Sequence, residues 1–296
     1  MGSRPWVVNA ALVAGVIVTA VSMRAIFPQL GMPAALVAAL PLPAVLWAIV
    51  LAAKTYANGG SPVPEEDLAS SYSKGYYEKM RGGWVVPASS AVVKKLQLGS
   101  IALPLRAHAI PKIYRWYFND WWVCGWLAYA VAAFVVVATL GRDAHGAGYV
   151  IAAFGMLRLF ELLSYHVELA FFNARTRANL VASATRTALL TLVNFAEVVL
   201  WFGTFYVLLA TTGHFTVDGP AAIVLLDESF VEMVANSESA VHPLSPTAWT
   251  FCLAHRVIGL FMTSVVLSRV ITLLTLPEPL RSTAADEPPP DPDRAS

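Results

Sequence analysis

Six runs of about 20 apolar residues divide the chain, and each is long enough to cross the hydrocarbon core of a bilayer as a helix. They are Trp6 to Ile26, Met32 to Ala53, Trp121 to Leu140, Gly148 to about Phe172, Ala188 to Thr211 and Trp249 to Leu276. In lipid every backbone N–H and C=O must find its partner inside the protein, so runs of this kind form helices. Only 13% of the 296 residues are charged, whereas a soluble domain carries about 25%. The expectation is an all-α, polytopic membrane protein with six transmembrane helices. The first run also has signal-peptide features, Arg4 ahead of it and the small residues Ala20-Val21-Ser22. The very short turn before the second run favours a helical hairpin that stays in the membrane.

The basic residues assign an orientation. With a cytoplasmic N-terminus and six spans, 16 of the 20 Lys and Arg fall on the inner side. The outer side receives Arg24, Arg142 and Arg256, and Arg158 falls inside a span. Positive charge stays on the cytoplasmic side, so both termini are expected inside, in a plasma or inner membrane. The one long inner segment, residues 54–120, is too short and irregular for an independent domain. It reads as juxtamembrane structure on the inner leaflet and ends in KIYRWYFNDWW, a basic and aromatic mixture suited to headgroup depth. A nucleic-acid role for these aromatics is not expected. Residues 277–296 contain EPPPDPD and read as a disordered cytoplasmic tail.

Between the last two runs lies a segment with no Lys or Arg and five acids: Asp218, Asp227, Glu228, Glu232 and Glu238. PAAIVLLDESFVEMVA reads as a short apolar helix broken near Asp227, with Asp227 or Ser229 as a cap for a helix through Ala235. A helix too short to span, followed by polar backbone, is tolerated at membrane depth only where protein buries it or water lines it. The alternative is an amphipathic loop helix on the outer surface.

This order of parts resembles the pore module of the tetrameric potassium-channel superfamily. ATRTALLTLVNFAEVVLWFGTFYVLL is similar to its outer helix, and LAHRVIGLFMTSVVLSRVITLL to its inner helix, with Gly259 at a hinge position. The resemblance covers residues ~183–276. Aligned on Pro243, Asn236-Ser237-Glu238-Ser239 stands where the family has its glycine-containing filter. The resemblance therefore implies a pore-like module at 188–276 with a degenerate, side-chain filter of Asn236, Ser237, Glu238 and Ser239. Asp227, Glu228 and Glu232 would form an acidic outer mouth, and rings of acid concentrate cations. It also implies a homo-oligomer, a tetramer if it forms a pore, with inorganic cations passing. The remaining parts are an N-terminal transmembrane hairpin (1–53), the cytoplasmic segment (54–120) and a second hairpin (121–187).

Other polar residues fall inside the runs. Arg158 and Glu161 are three apart on one helix face and are expected to form an internal ion pair. Glu197, three residues after Asn194, is expected to pair with Arg186 or Arg269. His166 and Glu168 are placed near the inner interface, meeting water or headgroups. His255 and Arg256 have Glu232 or Glu238 as expected partners. Voltage sensing needs Arg at every third position, which the fourth run does not offer.

Cys124 and Cys252 form no CxxC, and His145, His214 and His242 lack ligand spacing, so neither a metal nor a cofactor is expected. HExxH, GxSxG, GxGxxG and Walker-type loops do not occur, so the chain does not read as an enzyme; an intramembrane enzyme is the third reading. The second is a non-conducting membrane scaffold that binds partners through residues 54–120. The orientation has a direct check. A fluorescent protein at either terminus should fluoresce, and alkaline phosphatase fused after Arg142 should be active; the reverse pattern would invert the topology.

Overall fold

The computed structural model describes residues 16–17, 20–21, 32–57, 100–102, 105, 115–141, 145–171, 180–219, 221–234 and 240–274. Its elements are α1 (Met32–Ala39), α2 (Leu42–Ala57), α3 (Arg115–Leu140), α4 (His145–Phe171), α5 (Leu180–Thr211), β1 (Phe215–Val217), α6 (Ala221–Val234), β2 (Val241–Pro243) and α7 (Pro246–Leu274). Four of these helices are long and apolar enough to cross a membrane, over Phe118–Leu140, Gly146–Val167, Ala188–Thr211 and Pro246–Ser268. They match the last four expected spans, and the chain is a mostly helical membrane protein on this ground.

The second expected span is helical but not one unbroken helix. It divides at Leu40–Pro41 into α1 and α2, and its apolar part, Ala35–Leu51, is shorter than a full span. Pro41 and Pro43 each lack an N–H, and a proline ring inside a helix collides with the carbonyl four residues back. Of the first expected span only Val16, Ile17, Ala20 and Val21 are described, all helical; the rest lies outside the described residues. Among the described residues the structure thus supports four spanning helices.

Helix α5 is the central member. Within the bundle 67% of its span is buried, against 28% for α7. It packs most extensively on α3, which offers a stripe of small residues, Ala130, Ala133 and Val137, all fully buried. Small residues let helix backbones approach closely where lipid removes any hydrophobic gain from association. An aromatic row, Phe118, Trp122, Trp126 and Tyr129, runs along α3 with ring centroids 5.5–5.8 Å apart and ends on Trp201 of α5. The aromatic cluster expected at headgroup depth is therefore divided. Trp121 is 77% exposed, while Trp122 turns inward and packs with Ala48, Ile101 and Leu105.

Helix α4 runs antiparallel to α5, pairing Gly148 with Leu208 and Gly155 with Trp201. A Cβ on Gly155 would overlap the Trp201 ring, whereas one on Gly148 would meet only a Leu208 methyl. Trp201 is fully buried and has no room to turn; the leucine end is flexible. Gly155→Ala should therefore cost about 1–3 kcal/mol, the usual range for overpacking, and Gly148→Ala clearly less. Thermal melts of the two variants in one detergent check the order; equal melting temperatures would remove the close contact from the argument.

Candidate functional site

Two polar regions stand out in the bundle: the unit formed by α5, the β1–β2 ribbon, α6 and α7, and a charged cluster between α4 and α5.

The first begins where α5 ends. Gly213 adopts a positive φ of 79°, the Gly213 N–H donates to the Ala210 carbonyl (3.0 Å), and the His214 N–H donates to the Leu209 carbonyl (2.9 Å). This is a Schellman motif, which glycine closes at no steric cost. Helix α7 starts with Ser245 as N-cap, its Oγ accepting from the Ala248 N–H at 3.2 Å, and with Pro246 as first residue. The two helix ends are joined directly. His214 Nδ1 lies 2.8 Å from Ser245 Oγ, and the Leu244 N–H donates to the His214 carbonyl. Next to this joint β1 and β2 pair antiparallel, Phe215 with Pro243 and Val217 with Val241.

Helix α6 leaves this joint and descends between α5 and α7. Near its start Leu226 lies against Gly203, whose added Cβ would stand 3.6 Å from the Leu226 Cα. Gly203 is eight residues, about 12 Å, from the end of α5. One turn on, Ser229 Oγ donates to the Val199 carbonyl at 2.7 Å, about 18 Å from that end. At the last turn, a Cβ on Gly259 would be 2.8 Å from the Met233 Cα, and Thr263 Oγ1 donates to the Met233 carbonyl at 2.9 Å. Gly259 lies thirteen residues, about 20 Å, into α7. Helix α6 therefore ends more than halfway along the spans that flank it. One sequence expectation changes here. Asp227 and Ser229 sit within α6 rather than capping a helix. Gly259, expected at a hinge position, lies in an unbroken α7 and forms the notch that admits the α6 backbone.

The three acids expected at an outer mouth have different surroundings within one copy of the chain. Asp227 is exposed and has no partner among the described residues. Glu228 is buried on the inner side of α6. Glu232 is held by Arg256 through two bonds, Nε to Oε2 at 2.5 Å and Nη2 to Oε1 at 2.7 Å. His255 does not join them. It is fully buried, stacked on Phe202 at 3.8 Å, with Nδ1 3.3 Å from the Tyr206 hydroxyl. Asn236, Ser237, Glu238 and Ser239 lie outside the described residues.

In the second region Arg158 binds Glu197 bidentately, Nε to Oε1 at 2.8 Å and Nη2 to Oε2 at 3.0 Å, and reaches Glu161 Oε2 through Nη1 at 2.9 Å. The Trp201 indole N–H donates to Glu197 at 3.3 Å. Glu161 Oε1 accepts from Ser100 Oγ (2.5 Å) and from the Ala102 N–H (2.8 Å), and Oε2 lies 3.4 Å from Trp122 Nε1. The guanidinium also stands over the Trp126 ring, 5.5 Å from its centroid.

Sequence spacing pointed to Arg158 with Glu161 but not to Glu197 as the principal partner. Arg186, the partner expected for Glu197, instead binds Asp120 near the start of α3, at 2.8 Å. Arg269's side chain lies outside the described residues. His166 is buried against Asn194, 3.3 Å away, rather than facing headgroups. Residues four apart on one helix reveal nothing about the register of the next, so cross-helix pairs were not readable. Among the described residues no group of three His, Cys, Asp or Glu is placed to hold a metal ion. No family, no curated protein and no solved structure matches this chain.

The charged cluster has every acid oxygen engaged, which fits a structural clamp between α4, α5 and residues 100–102. Removing one partner from a buried pair leaves a stranded charge and costs about 3–5 kcal/mol. Arg158→Leu should lose that much, and Arg158→Lys should recover only part, because an ammonium cannot bind Glu197 through a planar fork. Thermal unfolding in detergent checks this. If Arg158→Leu melts like the native chain, the clamp is not structural.

Proposed function

We propose that this chain is the subunit of a homo-oligomeric membrane protein, a cation channel or channel-like protein, in which α5, α6 and α7 of each copy surround a shared axis. The observation that carries this reading is the depth at which α6 ends. A helix that enters between two spans and stops past their midpoint leaves carbonyls of its last turn without intrahelical partners. Its dipole places about half a negative charge there. A cation at that level would be favoured, as at the C-terminal ends of half-helices in transporters.

The five residues 235–239 join this end to Ala240, whose carbonyl accepts from the Asp218 N–H at 3.1 Å beside the ribbon. In this reading Asn236, Ser237, Glu238 and Ser239, in the intervening sequence, would supply the polar groups of the ion path. A helix end at such depth calls for protein cover or a water-filled lumen. The exposed Asp227 and the half-exposed Arg256 beside α6 support the same conclusion, because charged groups facing lipid are costly. With Glu228 turned inward and Glu232 held by Arg256, the acid we assign to an ion path is Glu238. Selection would rest on carboxylates rather than on a stack of backbone carbonyls.

Purified protein in liposomes should pass cations in preference to anions. Glu238→Gln should lower that preference several-fold without changing the size of the particle. An intact oligomer that passes no ions would favour the non-conducting scaffold, and a monomeric particle would end the pore reading altogether.

A further inference from the structure

The surface around α6 carries two opposite charges that one copy of the chain does not bring together. Asp227 is exposed and unpartnered among the described residues. Arg256 spends Nε and Nη2 on Glu232, leaving Nη1 with no bond among the described residues, and 46% of its side chain is exposed. Both lie at nearly one depth. Asp227 follows Leu226, which packs on Gly203 about 12 Å from the end of α5. Arg256 is ten residues, about 15 Å, into α7. The helix ends from which these depths are counted are joined through His214 and Ser245, so the two scales share an origin.

They also occupy different parts of the surface. Asp227 and Glu232 are five residues apart, about 140° around α6, and Arg256 sits on the Glu232 side. Each charge is set among exposed apolar side chains. Ile223, Phe230 and Val234 share the outer face of α6 with Asp227, and Leu253, Val257 and Leu260 are exposed beside Arg256 on α7. Lipid can cover those apolar groups but solvates neither charge.

We propose that neighbouring copies of this chain meet through Asp227 of one and Arg256 of the partner subunit. Arg256 would then join two carboxylates, its own Glu232 through Nε and Nη2 and the neighbour's Asp227 through Nη1. The apolar residues around each charge would exclude water from the pair, as the rim of a hot spot does. Because the two surfaces differ, the contact is head-to-tail, and such contacts close into rings when the rotation permits. This assignment rests on the oligomeric part of the function proposed above and is independent of conduction.

The test uses full-length chains in a background of Cys124→Ser and Cys252→Ala, since Cys124 is an exposed free thiol. One chain carries Asp227→Cys and a large tag, the other Arg256→Cys and a small tag, and the two are co-expressed. A short bis-maleimide should join one of each and yield little of either homodimer. Dominant Asp227→Cys homodimers would overturn the pairing, as would an intact oligomer in native mass spectrometry that gives no mixed product. Should the cysteine chains fail to assemble, charge variants of the native chain decide. Asp227→Glu should keep the oligomer, Asp227→Asn should reduce its share several-fold, and Asp227→Lys should abolish it; equal oligomer content in all three would sink the proposal. A monomeric native chain defeats both this inference and the pore. Mixed cross-links without ion flux defeat conduction alone.

Discussion

The fork of Arg158 on Glu197 is the contact on which the bundle depends most. A lone guanidinium or carboxylate among apolar helices is expensive, and so is a half-satisfied network. This one is completed from four places: two indoles, a hydroxyl and a backbone amide close the remaining oxygens of Glu161 and Glu197. Apolar packing between lipid-embedded helices has little preference for one register over another, because lipid is as apolar as the side chains. A bidentate ion pair tolerates a single alignment. It sets α4 against α5 at the level where Gly155 meets Trp201, and both features would be lost with a slip of one turn.

From that fixed α5 the placement of α6 follows. Ser229 donates to the Val199 carbonyl, two residues beyond Glu197, so the short helix is referenced to the same stretch of α5 that Arg158 holds. On its other side Gly259 and Thr263 receive the Met233 backbone. Helix α6 is thus held by backbone contacts on both flanks, while its outer face, with Ile223, Phe230 and Val234, is exposed among the described residues. A buried inner face and an exposed apolar outer face at this depth are what the oligomer proposed above would use.

Much of this was readable from residue order. Apolar runs bounded by charge marked the four long helices, because length and hydropathy alone decide whether a segment spans. The Gly213 stop and the Ser245-Pro246 start are local signals as well, but the apolar runs, ending at Thr211 and opening at Trp249, do not mark them. The break at Pro41 and Pro43 was also in view, but the apolar character of the surrounding run masked it. What could not be read were facts about neighbouring helices. Glu197 had several arginines in principle, and only the register of α4 selects Arg158 over Arg186. Consecutive acids look like one patch in a string of letters, yet a 100° turn per residue sends Asp227 outward and Glu228 inward. Ser100 and Ala102 carried no sign that they reach Glu161, because a loop's destination is not encoded in its composition.

The joint between Ser245 and His214 has a mechanical consequence. It fastens one end of α5 to one end of α7, with the strand pair alongside as a brace. Two rods fastened there, and linked further along by the stacking of Phe202 on His255 and through α6, separate most readily by swinging about the ribbon end. Any spreading of α5 and α7 must then grow in proportion to distance from the ribbon, smallest beside Leu226 and larger where Met233 rests in its notch. The tip of α6 is consequently the place where a small angular change between these rods first turns into a gap.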